Sequence, residues 1–179
     1  SKKLLYQDMA QFFKLPAQQN SVKDDADLIS SGDLNLATGE IEVLTSTFDG
    51  VRYNAPNDIA ALSNGQIFFT DPCYGDRSTM ELDHDSVYRI DPDGKVTQIL
   101  AWPDVHMPNG IVTSPDNKTL YLIEAHPDAD HNRCIFAYDL GDGGSVSNRR
   151  TLIDFYPGRS GDGSNLVRSD MGVPGHSLG

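Results

Sequence analysis

An internal repeat constrains the fold of this chain more than any other feature of its sequence. The segment PNDIAALSNGQIFFTD, which begins at Pro56, can be laid over PNGIVTSPDNKTLYLIE, which begins at Pro108. Each copy starts with Pro-Asn, continues to an isoleucine, crosses a turn that contains asparagine, and enters a run rich in aromatic residues. Self-similarity at a period near 50 residues indicates a repeat architecture, in which each repeat is one supersecondary unit.

The segments that follow the two copies correspond as well. VYRIDPDGKVTQIL, from Val87, resembles IFAYDLGDGGSVSNRRTL, from Ile135, and LNLATGEIEVL, from Leu34, has the same shape. All three alternate apolar and polar residues on either side of a turn that contains glycine. Period-two alternation around Asn-Gly, Asp-Gly and Thr-Gly turns is the signal of antiparallel hairpins. We therefore predict short antiparallel strands, about four in each repeat.

A unit of about 50 residues and four strands has the size of a propeller blade. The sequence thus predicts an all-β fold, a β-propeller, with blades in residues 31–163. Residues 1–30 carry no clean repeat and read as a short helix and linker, and residues 164–179 form a divergent tail. Three to four blades leave two open blade faces, so we expect a second chain, a missing segment or self-association to complete the ring.

Charge and composition exclude several kinds of partner. The chain has 14 basic and 26 acidic residues, a formal charge of −12, which disfavours nucleic acid and anionic membrane surfaces. No apolar run approaches the roughly 18 residues of a spanning helix. We expect a soluble protein, and the sequence leaves open whether it is cytoplasmic, periplasmic or secreted. Cys73 and Cys134 lie far apart, outside any zinc-like spacing, and read as two separate thiols.

The repeated Pro-Asn dipeptides predict a site. The innermost strands of a propeller line its central channel, so Asn57 and Asn109 would lie in one ring, and one further period leads to Asp162. Amide and carboxylate oxygens suit Ca²⁺, Mg²⁺ or Mn²⁺, and Zn²⁺ where ligands are few. The alternative is that Pro-Asn and Asp-Gly are turn formers only.

Three segments resemble the gluconolactonase/senescence-marker-protein-30 family: YNAPNDIAALSNGQIFFTDPCYG, MPNGIVTSPDNKTLYLIEAHPD and LIDFYPGRSGDG. The resemblance runs from about Thr38 to Gly163 and implies a six-bladed propeller that opens lactones or related esters with one divalent cation, Ca²⁺ in the first place. It implies that Asn109 and Asp162 are metal ligands and that Asn57 contacts the metal or the substrate. The cation would polarise the lactone carbonyl for attack by water, with Asp162 as general base.

The same resemblance places the loop DPCYGD near the mouth of the pocket, where Tyr74 would contact the substrate. From the residues alone, this loop is either a calcium loop or a connection between the first and second strands of a blade. Asn54 and Arg52 either support Asn57 or make plain turn contacts, and we count Asn54 among the substrate-binding residues.

A histidine-rich segment, HPDADH, is a further candidate. His126 and His131, with Asp128 and Asp130, either chelate a metal or belong to a solvated turn.

The chain also departs from the family pattern. It lacks the Glu-Gly-Pro-like motif that carries the remaining ligand, and SNLVRSD follows Gly163, so Asp170 is an alternative to Asp162. Ala55 stands where some relatives have an arginine, which leaves open whether sugar lactones are preferred. The alternative function is that of an inactive propeller fragment that binds a partner or calcium.

Overall fold

The computed structural model describes residues 3–5, 31–35, 41–128 and 130–158, in which the regular structure is almost entirely β-strand. Within these described ranges, one short 3₁₀ helix, Arg77–Thr79, interrupts the strands. The strands are β1 (Lys3–Leu5), β2 (Ser31–Asn35), β3 (Ile41–Thr45), β4 (Thr47–Phe48), β5 (Val51–Arg52), β6 (Ile59–Ala61), β7 (Ile67–Asp71), β8 (Ser86–Ile90), β9 (Val96–Ala101), β10 (Pro108–Thr113), β11 (Thr119–Ala125), β12 (Arg133–Leu140) and β13 (Val146–Asp154).

These strands form antiparallel sheets in which neighbours in sequence are neighbours in space. Strands β6 to β9 form one four-stranded sheet and β10 to β13 form another, each in simple sequential order. Strands β1 to β3 form a third sheet, and β4 pairs with β5. The two four-stranded sheets coincide with the two sequence repeats. The predictions of an all-β propeller and of four strands per repeat are therefore confirmed.

The hairpin turns follow from local sequence. In the β8–β9 turn, Gly94 donates to the carbonyl of Asp91 at 2.8 Å, and the β12–β13 turn repeats this bond between Gly144 and Gly141. Gly94 and Gly144 have φ angles of 84° and 73°, a region that glycine enters without steric cost. A Cβ on Gly144 would also lie 2.6 Å from Cδ of Arg89. The positive φ therefore favours glycine at position 144, and any larger residue there would also displace the Arg89 side chain.

The core lies on both faces of the first four-stranded sheet. On one face, Phe68 and Val87 pack with Leu120 and Leu122 of the second sheet, and all four are fully buried. On the other face, Phe69 and Tyr88 pack against Tyr53 and the side chains of Leu44 and Phe48. Because successive residues of a strand point to opposite faces, the pair Phe68-Phe69 serves both layers. This is the packing expected of a blade between two neighbours.

Strand β10 packs against β6 and β7, which brings the first strands of the two blades together. The loop DPCYGD joins β7 to β8, so it connects the second and third strands of its blade and not the first and second. The reason is that the β6–β7 turn already closes at Asn64-Gly65, where Leu62 and Gln66 are hydrogen bonded. Within the N-terminal segment, Lys3–Leu5 is a strand paired with β2, which differs there from a helix and linker.

Cys73 and Cys134 are both buried free thiols, as predicted. In the part of the chain that the structure describes, no helix is long and apolar enough to cross a membrane. The rest of residues 1–30 and the predicted tail, 164–179, lie outside the described residues.

Candidate functional site

Two of the predicted site residues, Asn57 and Asn109, are bonded through their backbones to one buried residue, Thr70. The backbone N–H of Asn57 donates to the carbonyl of Thr70 at 2.9 Å, and the Thr70 hydroxyl donates to the carbonyl of Asn109 at 2.7 Å. Thr70 lies on β7 and is fully buried, whereas both asparagines are half-buried. The structure therefore brings Asn57 and Asn109 to the same end of adjacent blades.

Asp58 adds a second link between these blades. Its Oδ2 accepts from the backbone N–H of Ile111 in β10 at 2.7 Å, and its Oδ1 accepts from that of Ile59 at 2.9 Å. Its own backbone N–H donates to the Thr70 hydroxyl at 3.0 Å. Hydrogen bonds to a carboxylate are stronger than neutral ones, so the strand that carries Asn109 is fixed firmly to the preceding blade.

Two buried acidic residues that no sequence motif indicated, Asp71 and Glu124, bond the backbone just before the two Pro-Asn dipeptides. Asp71, at the end of β7, accepts from the N–H groups of Asn54 at 2.9 Å and Ala55 at 2.7 Å. Glu124, on β11, accepts from those of His106 at 2.8 Å and Met107 at 3.0 Å. The signal that could have revealed them is positional, because Asp71 and Glu124 are the acidic ends of the two aligned repeats.

The environment of these acids perturbs their ionisation. Burial raises the pKa of Asp71 and of Glu124 to about 7 in each case, although the backbone N–H bonds act in the opposite direction. Oε1 of Glu124 and Oδ1 of Asn54 are buried and have no hydrogen-bond partner among the described residues. Buried oxygens of this kind normally find a proton, a water or a cation.

Tyr74 reaches into the same region from the β7–β8 loop. Its hydroxyl interacts with the side chain of Asn109, and burial of the hydroxyl, followed by the nearby charge of Asp85, raises the pKa of Tyr74. Almost half of Tyr74, 48%, nevertheless remains exposed. Asp85 is buried and accepts from the Cys73 N–H at 2.9 Å and from Arg77 at 2.8 Å. Tyr74 is thus a neutral phenol beside Asn109.

A cavity of about 160 Å³ opens next to this region. It is lined by Arg77, His84, Asp85, Trp102, Val105 and His106. Trp102 is half-exposed and its ring lies 4.7 Å from that of His106. No sequence pattern points to Trp102, because it belongs to neither copy of the repeat and carries no motif.

The histidine-rich segment brings three potential metal ligands together. The ligand atoms of His126, Asp128 and His131 lie within 4.8 Å of one another. The two imidazole rings, however, are stacked 3.8 Å apart and only 11° from parallel. An imidazole nitrogen binds a cation in its ring plane, and two stacked planes have no such point in common. Nδ1 of His126 also accepts from the backbone N–H of Asp128 at 3.1 Å, which favours the hydrogen-bonded turn over the metal site.

The remaining predicted residues are placed as follows. Asn54 donates through Nδ2 to the carbonyls of His84 at 3.3 Å and Asp71 at 3.5 Å. Arg52 pairs with Glu81 at 3.1 Å on the surface. Asp162 and Asp170 lie outside the described residues, so the complete ligand set stays a prediction.

Comparisons with known proteins place the chain in one family. The family model described as SMP-30/Gluconolactonase/LRE-like region matches residues 18–170, and the chain belongs to this family. A gluconolactonase of Zymomonas mobilis is 32% identical over 123 residues, which cover 66% of this chain and 33% of the relative. A lactonohydrolase of Aspergillus oryzae is 30% identical over 149 residues, covering 69% of this chain and 32% of the relative.

Among solved structures, a gluconolactonase of Xanthomonas campestris superimposes with a TM-score of 0.59 and 32% identity, covering 71% of this chain and 42% of that one. The chain therefore spans about a third of the length of the two curated relatives and less than half of this solved structure.

Proposed function

We propose that this chain carries part of the active site of a divalent-metal-dependent lactone hydrolase. The observation that carries the proposal is the convergence of the two Pro-Asn asparagines on Thr70, at one end of adjacent inner strands. Relatives described as gluconolactonase and lactonohydrolase support a small lactone as the substrate.

The residues present suit a hard divalent cation. Asn57 and Asn109 offer amide oxygens, and the buried acids Asp85 and Glu124, together with Asp58, act electrostatically on the adjacent Tyr74. Concentrated negative charge with neutral oxygen donors is the environment that Ca²⁺, Mg²⁺ and Mn²⁺ prefer, and Ca²⁺ is our first choice. Asn57, Asn109 and Asp162 would hold the cation, which supplies Lewis-acid polarisation of the lactone carbonyl when bound.

The chain's own side chains supply orientation and proton transfer. Tyr74, kept protonated by its raised pKa, would donate a hydrogen bond to a lactone oxygen, and Asn54 would line the same pocket. The exposed face of Trp102 would pack against the lactone ring in the adjacent cavity. Asp162 would accept a proton from the attacking water and thereby serve as general base.

An assay of glucono-1,5-lactone hydrolysis, in which a pH-stat measures the acid released, tests the proposal. We expect activity that disappears in EDTA and returns when Ca²⁺, Mn²⁺ or Zn²⁺ is added. A rate that EDTA does not change would contradict metal dependence. Cation binding without hydrolysis of any lactone tested would favour the alternative, an inactive binding module.

Two matched variants test whether Asp162 or Asp170 supplies the carboxylate that acts as ligand and general base. Asp162→Asn should abolish hydrolysis and leave the folded structure intact, because the side chain is assigned to the cation and the water rather than to packing. Asp170→Asn should retain activity. The reverse pattern, measured in the same pH-stat assay with circular dichroism as the folding control, would transfer the role to Asp170.

A further inference from the structure

We propose that Asp71 and Glu124 are positioning residues, each of which clamps the main chain just before one Pro-Asn dipeptide and thereby fixes the orientation of Asn57 or Asn109. The inference rests on the proposed function, since it concerns how the proposed ligands are held.

The two clamps have the same design in both blades. Asp71 accepts the N–H groups of the residues three and two positions before Asn57, which are Asn54 and Ala55. Glu124 does the same for His106 and Met107, three and two positions before Asn109. A repeated arrangement of different residues around the same backbone groups indicates that the backbone position is what is being maintained.

A proline lies between each clamped backbone segment and its asparagine, and it transmits the restraint from one to the other. Pro56 and Pro108 have no backbone N–H and a φ angle fixed by the ring, so little torsional freedom separates the clamped residue from the asparagine. Anchoring Ala55 or Met107 therefore restricts the residue two positions later. The far side of Asn109 is held as well, by Thr70 at its carbonyl and by Asp58 at Ile111.

A turn needs no such arrangement for stability alone. Asp71 and Glu124 are both 0% exposed, and taking a carboxylate out of water is costly unless its hydrogen bonds compensate. Neutral Ser or Asn side chains close ordinary turns without that cost. Burying an acid behind each asparagine is therefore better explained by a need for precise placement.

The two clamps differ in one detail that allows a sharp test. Asp71 uses both oxygens, with Asn54 on Oδ2 and Ala55 on Oδ1. Glu124 receives both N–H groups on Oε2 alone. In Asp71→Asn, an NH₂ group must face one N–H, so one bond is lost. In Glu124→Gln, the amide oxygen can accept both, so this conservative variant retains the clamp, whereas Glu124→Met removes it at similar volume.

The experiment measures Ca²⁺ affinity by calorimetry and side-chain amide signals by ¹H–¹⁵N NMR on the full chain. Asp71→Asn and Glu124→Met should weaken Ca²⁺ binding about 10- to 100-fold, the usual effect of losing a group that orients a ligand, while Glu124→Gln remains close to wild type. Asp91→Asn is the matched control, because Asp91 bonds Gln66 and Arg89 away from the asparagines. The NH₂ signals of Asn57 should shift in Asp71→Asn, and those of Asn109 in Glu124→Met.

Ca²⁺ affinity in Asp71→Asn and Glu124→Met equal to that of Asp91→Asn would overturn the proposal. If the wild type binds no Ca²⁺, the proposed function fails. The NMR signals then test the positioning role of Asp71 and Glu124 independently of Ca²⁺. Unchanged Asn57 and Asn109 signals in these variants would overturn the clamps, and selective shifts would support them.

Discussion

At the scale of single residues, Glu124 links burial, hydrogen bonding and ionisation. Both backbone N–H groups that contact it bind Oε2, while Oε1 has no partner among the described residues. A carboxyl group that carries its proton on Oε1 leaves Oε2 as the pure acceptor that these two bonds require. The pKa of about 7, raised by burial, agrees with that protonated form in the absence of a cation.

This ionisation predicts a measurable dependence of stability on pH. The pKa of Glu124 rises from 4.5 to about 7 on folding, so between these values the folded protein binds a proton that the unfolded chain does not. Its contribution to the free energy of unfolding is therefore complete below about pH 4.5 and is lost as the pH rises through 7. Glu124→Gln should remove this component, measured by urea unfolding from pH 4.5 to 8 in EDTA.

Other groups titrate in the same pH window. Comparing wild type with Glu124→Gln isolates the contribution of Glu124, because those other groups are present in both proteins. Burial lowers the pKa of His106 and of His126, and their contributions have the opposite sign. The contribution of Asp71 to the free energy of unfolding has the same sign as that of Glu124, and Asp71 is present in both wild type and Glu124→Gln. A difference in unfolding free energy that stays constant from pH 4.5 to 8 would contradict the assignment.

The sequence predicted the two asparagines as site residues but did not point to the residues that bond their backbone. Asn57 and Asn109 stand at the same position of a visible repeat, and a repeated polar residue is a recognisable signal. Asp71 and Glu124 end apolar runs, where an acidic residue looks like the polar boundary of a strand. Their burial depends on loops that fold back over them, which no local pattern records.

At the scale of elements, β7 connects the two blades. Its successive residues Phe68 and Phe69 fill opposite faces, and Thr70 bonds Asn57, just before β6, and Asn109 in β10. Alternation and glycine turns were sufficient to predict these hairpins, because both are local properties. The position of DPCYGD was predicted incorrectly, because assigning it to a given connection requires counting strands that are only three residues long, such as β6.

The bridging role of Thr70 predicts a specific cost. Thr70→Val keeps the shape but removes the hydroxyl that donates to the carbonyl of Asn109 and accepts from the Asp58 N–H. Leaving these buried groups unpaired should destabilise the protein by about 1–3 kcal/mol. Thr97→Val, at a half-buried site on β9, should change stability by less than about 0.5 kcal/mol. Equal effects of the two variants in denaturant unfolding would contradict the bridge.

At the scale of the whole molecule, the outer strand of the second blade presents apolar residues to solvent. Leu152 and Ile153 of this strand are 52% and 48% exposed, and Tyr156, in the turn after it, is 67% exposed. The propeller architecture explains this, because the side of one blade normally packs against the next. The chain spans about a third of the curated relatives, which agrees with blades beyond those described.

We therefore expect the 179-residue chain, when isolated, to self-associate or to require a further polypeptide segment for solubility. Light scattering coupled to size exclusion measures this directly. Replacing Leu152 and Ile153 with threonine should shift the chain towards the monomer. A monodisperse 19.6 kDa species for the unaltered chain would contradict the expectation that its blade faces need covering.

A calorimetric titration with Ca²⁺ tests whether the two repeat-related asparagines hold one divalent cation. Wild type should bind one Ca²⁺ per chain or per completed ring, and Asn57→Ala and Asn109→Ala should each weaken binding at least tenfold. Asn64→Ala, in the β6–β7 turn at the opposite end of the blade, should bind as wild type does. Binding that survives in Asn57→Ala and Asn109→Ala, or is lost equally in Asn64→Ala, would contradict the account.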